Sequence, residues 1–225
     1  MCARFTLRRP EQIIEMLDPE EIEADLRQPR YNVAPTQRVP VLAIRDGKRV
    51  LQDATWGLVP PWAQDSPSRP RLLNARAETL SQKPAFRDAF RYRRCLIPAD
   101  GFYEWAATGK GKGKGKQPMY LRVDGGKCFV FGGLYEVRPP GSEGPSLTCV
   151  IITTEPNELM RPIHDRMPLI LPESVYEGWI DSSVTDPAAI NAWLRPFEAR
   201  RMDAYPVSPY VNSATHEGER CIEPI

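Results

Sequence analysis

The residue whose type and place point most directly to chemistry is Cys2. Removal of Met1 would put a thiol and an α-amine on one carbon skeleton, with ordinary pKa values of ~8.5 and ~8. Such an amine condenses with an aldehyde to an imine. The thiol then closes on the imine carbon to give a stable five-membered thiazolidine. The same residue suits an amidase nucleophile with its own amine as base, and it equally suits an incidental residue on a frayed end. His164, in Pro162-Ile163-His164-Asp165-Arg166-Met167-Pro168, has the type of a general acid or base near neutrality; the competing reading is a structural histidine. Glu104 stands between Tyr103 and Trp105, where partial burial would raise its pKa; otherwise it is a solvated strand glutamate. Asn74 and Arg76, at i and i+2 of an extended segment, would share a side and suit a sugar or a phosphate. The alternative there is a helix-capping asparagine followed by surface charge.

The elements that must position these residues read as follows. Pro10 to Leu17 predicts a short helix with proline in its first turn and Ile13, Ile14 and Leu17 buried. Pro19 to Arg27 predicts a second, more polar helix. Val39–Ile44 and Val50–Trp56 flank Asp46-Gly47, which predicts a hairpin. Val59 to Arg71 reads as an irregular surface loop, and Ala85 to Arg94 as a basic helix. Strands are predicted at Cys95–Ile97, Phe102–Trp105, Met119–Val123, Cys128–Leu134 and Leu147–Thr153, with a closing strand at Tyr205–Val211. Between two of them, Thr108 to Lys116 is a glycine–lysine repeat that reads as a flexible hairpin tip. Late helices are predicted at Pro156–Met160, Glu173–Ile180 and Pro187–Leu194. No repeat or linker divides residues 1–225. The expectation is one compact α+β domain, with a curved, mainly antiparallel sheet or barrel and short helices around it.

Composition narrows the function classes. The 24 prolines in 225 residues are about twice the usual ~5% and exclude a helix bundle. Apolar content of 41% with 26% charged residues excludes a disordered chain. No apolar run approaches the ~20 residues of a membrane helix, and no export signal is read, so a cytoplasmic protein is expected. A formal charge of +1 leaves any nucleic-acid surface to a local patch. The five cysteines, none within metal-ligand spacing of another, argue against a disulfide scaffold. With two histidines in the chain, neither a metal nor a cofactor is expected.

Six blocks occur in order: Met1-Cys2-Ala3-Arg4-Phe5, Arg30-Tyr31-Asn32-Val33-Ala34-Pro35-Thr36, Trp56-Gly57-Leu58-Val59-Pro60, Asn74-Ala75-Arg76-Ala77-Glu78, Ala99-Asp100-Gly101-Phe102-Tyr103-Glu104-Trp105 and His164-Asp165-Arg166-Met167-Pro168. This set resembles the signature of the SRAP family, the SOS-response-associated peptidases or abasic site processing proteins, over nearly the whole chain. The resemblance implies one α+β domain around a barrel-like sheet. It also implies a DNA-damage function on abasic sites in single-stranded DNA, including single-strand/duplex junctions, by a monomer that is nucleoid-associated in a bacterium. Cys2 would form the thiazolidine crosslink and Asn74 would position the N-terminus and sugar. Glu104 would shuttle protons and is tied to self-removal of Met1, with lyase-type Schiff-base chemistry on the same amine. His164 would assist opening of the sugar ring. Arg4, Asn32, Pro35, Trp62, Arg76 and Thr153 would lie at or near DNA. Ala3 and Ala63 depart from the family, standing where many members have glycine and some have a second aromatic. Two other readings stay open: an N-terminal-nucleophile cysteine peptidase or amidase, and a noncatalytic single-strand-binding module.

Overall fold

The computed structural model describes residues 2–63, 71–109, 115–138 and 146–225. Its first elements are β1 (Arg4–Leu7), α1 (Pro10–Leu17), β2 (Glu21–Ile22), β3 (Arg30–Val33), β4 (Arg38–Arg45) and β5 (Lys48–Trp56). Next come β6 (Asn74–Arg76), α2 (Arg87–Tyr92), β7 (Arg94–Ala99), β8 (Gly101–Ala107), β9 (Lys116–Val123), β10 (Phe129–Val137) and β11 (Leu147–Thr154). The chain closes through β12 (Met167–Pro168), β13 (Ile170–Leu171), α3 (Tyr176–Ile180), α4 (Pro187–Trp193) and β14 (Met202–Pro206).

Two mainly antiparallel sheets form an α+β fold, as expected. The smaller runs β14-β9-β8-β1-β3, and the larger β12-β11-β10-β7-β4-β5-β2, with β13 on β10 and β6 on β11. The larger sheet curls until β5 also pairs in parallel with β11 (Thr148↔Thr55, Cys149↔Trp56). Phe5 of β1 joins the sheets, its ring 5.3 Å from Trp56 and 5.7 Å from Phe131. Alternation along β1 and β8 puts Phe5 and Phe102 in this main core. The opposite face of the small sheet carries Tyr103 and Tyr120, which pack with Val207, Val211 and Cys221 of the C-terminal segment. No helix among the described residues is long and apolar enough to cross a membrane.

Local rules succeed where local forces dominate. Pro10 opens α1, and Asp18, at φ 43°, closes it with its N–H on Ile14 O. Ile13 and Leu17 are buried, whereas Ile14 is half-buried. Asp46 and Gly47, both at positive φ, turn β4 into β5. Four expectations are corrected. Residues 19–27 form no helix, because the open edge of β5 takes Glu20 N, Glu23 N and Ala24 N onto Arg49 O and Leu51 O. Residues 156–160 form turns, with Asn157 Oδ1 accepting from Met160 N and Pro162 unable to continue a helix. Cys128 precedes β10 and is half-buried rather than lying in a strand. The last strand ends at Pro206, and Pro209–Asn212 is a 3₁₀ turn. The middle of the glycine–lysine tip and part of the 59–71 loop lie outside the described residues.

Candidate functional site

Cys2 sits just before β1 and is fully buried, with Sγ 3.8 Å from Arg4 O. Its carbonyl accepts a hydrogen bond from Asn74 Nδ2 at 3.0 Å. Asn74 can reach it because β6 is clamped in parallel on β11 (Asn74↔Ile151, Arg76↔Thr153). The Asn74 Oδ1 atom is buried and accepts nothing among the described residues.

Glu104 comes from β8, the strand next to β1, and is 2% exposed. Burial pushes its carboxyl up, and the nearby His164 pulls partly the other way. Burial also pushes the Cys2 thiol far above its ordinary range, and the Glu104 charge adds to that rise. The site therefore keeps its thiol protonated at neutral pH and holds a carboxyl that takes up a proton more readily than usual.

His164 is carried by the turn after β11, its backbone N–H on Met160 O at 2.8 Å. Its Nδ1 accepts from Arg166 N at 3.0 Å. A backbone N–H can only donate, so the neutral ring bears its proton on Nε2. Asp165 Oδ1 lies 2.9 Å from the same Nδ1. Arg166 fixes the turn by forking onto Glu78 (2.8 and 3.0 Å) and donating to Thr153 O. Burial raises the Glu78 carboxyl, but the Arg166 hydrogen bond and charge, its own backbone N–H and the Arg76 charge together outweigh that and hold it below the usual range. Glu78 and Arg166 thus tie the Asn74 segment to the His164 turn.

The profile of the SOS response associated peptidase (SRAP) family matches residues 1–214. The chain belongs to this family. It is 42% identical over 226 residues to abasic site processing protein YoqW of Bacillus subtilis, covering 99% of each chain. It is 31% identical to YedK of Escherichia coli, another abasic site processing protein, over the full length of both. It is 32% identical to HMCES of Gallus gallus, likewise an abasic site processing protein, covering 92% of this chain and 69% of the relative. A crystal structure of a protein from Bacteroides thetaiotaomicron superposes with a TM-score of 0.82 at 26% identity, covering all of both chains.

Within this SRAP fold the four residues expected to carry chemistry converge: Asn74 bonds Cys2, Glu104 acts electrostatically on Cys2, and His164 acts on Glu104. The six residues expected near DNA divide. Trp62 is 63% exposed, Arg76 is exposed and Pro35 is half-buried. Thr153 is fully buried, its hydroxyl 3.5 Å from Ala75 O. Arg4 and Asn32 bond each other and the C-terminal segment. Size does not mark the site: the hollow of about 690 Å³ beside Arg30 and Asp53, and that of about 830 Å³ beside α1 and Phe129, lie elsewhere. In the sequence Glu78 and Arg166 stand out only as members of two ordered blocks. Their opposite charges were the available signal, but 88 residues separate the partners.

Proposed function

We propose that this SRAP protein captures abasic sites in single-stranded DNA as a thiazolidine on Cys2, once Met1 has been removed. The α-amine adds to the aldehyde carbon of the ring-opened sugar. Loss of water gives the imine, and the thiol adds to the imine carbon, its proton passing to the ring nitrogen. The sum is one aldehyde and one aminothiol giving one thiazolidine and one water. Opening the sugar ring needs a proton on the ring oxygen, which the His164 Nε2–H supplies. Dehydration needs an acid and ring closure a base. A carboxyl raised by burial serves both in turn, and Glu104 has that property. Asn74 holds the Cys2 carbonyl, and its unpaired Oδ1 receives an N–H of the amine. Exposed Trp62 and Arg76 offer an aromatic face to a base and a guanidinium to a phosphate. Self-removal of Met1 and Schiff-base lyase chemistry use the same groups.

The observation that carries this reading is the buried Cys2 held by Asn74 beside Glu104. A cysteine peptidase acting on other chains needs a thiolate, which this burial opposes. Amine-first chemistry forms the imine before the thiol is called on, and the thiol then gives its proton to a base within the site as it closes the ring. The test uses a uracil-containing oligonucleotide treated with a uracil glycosylase, followed by a denaturing gel and mass spectrometry of the protein N-terminus. Protein lacking Met1 should give a heat-stable shifted band. Cys2→Ala should give only an imine that borohydride traps and heat releases. A heat-stable adduct from protein that keeps Met1, or from Cys2→Ala without reductant, would overturn the reading.

A further inference from the structure

The segment after β14 folds back as a strap across the outer face of the small sheet. Val207 N bonds Pro118 O, Val207 bridges Pro224, and Val211 and Cys221 pack on Tyr103 and Tyr120. Ser208 Oγ accepts from Tyr210 N at the head of the 3₁₀ turn. The strap is stiffened by its own stacking, with His216 3.9 Å from the Tyr210 ring at 11° and the Arg220 guanidinium 4.4 Å from it.

Two side chains bind this strap to the strand that carries Cys2. Arg4 Nη1 donates to Asn32 Oδ1 and Val211 O, both at 2.9 Å, and Nη2 to Asn212 O at 3.2 Å. Asn32 is fully buried, and its Nδ2 lies 3.2, 2.8 and 2.9 Å from Val211 O, Ser213 O and His216 O. The described ladder between β1 and β8 begins at Arg4↔Tyr103, so Cys2 and Ala3 lie beyond it. Arg4 is therefore the last residue fixed by the sheet before the nucleophile. From the other side, Trp105 Nε1 donates to Asn212 Oδ1 at 2.8 Å. Asn212 is thus bonded two residues from Cys2 and one residue from Glu104.

We propose that Arg4 and Asn32 are positioning residues, a latch through which the strap carbonyls hold the head of β1 so that Cys2 meets Asn74 and Glu104. A guanidinium reserved for phosphate would keep its donors toward solvent. Here both hydrogens of Nη1 and one of Nη2 serve backbone and amide acceptors inside the fold. The latch fixes the end of the ladder from which the nucleophile projects. The inference rests on the thiazolidine reading of Cys2 and adds what sets that residue's place.

The test compares wild type with Arg4→Ala, Arg4→Lys and Asn212→Ala in three measurements. These are affinity for an intact single strand with its salt slope, crosslinking rate at saturating abasic DNA, and thiazolidine formation with glycolaldehyde, read as a mass gain on Cys2. Arg4→Ala should slow the saturating rate by about 10²-fold, as a nucleophile misplaced by an ångström does. Glycolaldehyde capture should slow with it. Intact-strand affinity and salt slope should stay at wild-type values, whereas a lost phosphate contact would reduce the slope by about 1. Arg4→Lys reaches fewer carbonyls and should fall between, and Asn212→Ala, at an exposed site, should slow both reactions by a few fold. If Arg4→Ala does not fold, the other two variants decide. Unchanged reaction rates, or a flattened salt slope with a wild-type saturating rate, would overturn the latch. A wild type that ignores abasic DNA would sink the proposed function, while the glycolaldehyde arm still judges the latch.

Discussion

β1 has a buried carboxyl at each end, and both come from the same short block around β8. At its far end Asp100, fully buried, accepts from Thr6 Oγ1, from Arg8 N at 2.8 Å and from Arg8 Nε at 3.1 Å. The Tyr120 hydroxyl, 2.9 Å from Thr6 Oγ1, completes the group, and Gly101 is required there because a Cβ would collide with that hydroxyl. At the near end Glu104 is as deeply buried, but its neighbours include the titratable pair Cys2 and His164. Burial costs both carboxylates solvation. At Asp100 an arginine and fixed donors offset the cost, which leaves a structural anchor. At Glu104 the cost persists as a raised pKa, the property on which the proposed proton transfer draws. Depth alone does not separate structure from chemistry; the kind of partner does.

The largest effect expected is at the Cys2 end. Glu104→Gln should slow crosslinking about 10²–10⁴-fold, the range of general acid–base assistance, once loss of Met1 is verified by mass. The same variant should be more stable than wild type at pH 8. A carboxyl whose folded pKa is raised destabilises the fold as pH rises from its unfolded value near ~4.3 through the folded value. Glutamine carries no such penalty, so the gap in urea midpoint should close toward pH 4. A variant that is slower and also less stable at pH 8 would erase the contrast with Asp100.

The far end should behave oppositely. Asp100→Asn leaves Arg8 without its buried anion and should cost about 3–5 kcal/mol in urea denaturation. The folded fraction should crosslink at the wild-type rate at saturating DNA. A rate loss matching that of Glu104→Gln would place Asp100 in the chemistry and break the comparison.

Residues at neither end of β1 sharpen it further. Trp62→Ala should leave thermal stability unchanged, because the indole is 63% exposed. It should weaken single-strand affinity by ~1–3 kcal/mol, the worth of a base–aromatic stack. A loss of thermal stability instead would mark Trp62 as packing. The smallest effect is expected for Glu78→Gln, whose carboxylate is about half exposed in its pair with Arg166. Stability should fall by no more than ~1 kcal/mol. The saturating rate should fall in parallel with that of His164→Ala and not add to it, since both act through the same turn. Fully additive losses would separate the pair from His164.

Much of this molecule could be read along the chain. Pro10 and the apolar spacing after it set α1, and Asp46-Gly47 set a hairpin, because backbone geometry at those points follows from the residues themselves. The ordered blocks around Cys2, Asn74, Glu104 and His164 named the groups that tertiary structure then gathered. What the chain could not announce was the partner of each group. Residues 19–27 became the two-residue strand β2 flanked by irregular backbone, because β5, a distant edge, offered carbonyls that a solitary helix could not outweigh. Thr153 is buried with its β11 position, and Arg4 and Asn32 find their hydrogen-bond partners on a strap 179 to 208 residues away. Residue type fixes which proton, charge or thiol is available. Burial and hydrogen-bond partners fix what that group can do, and both arise only when segments far apart in sequence pack together.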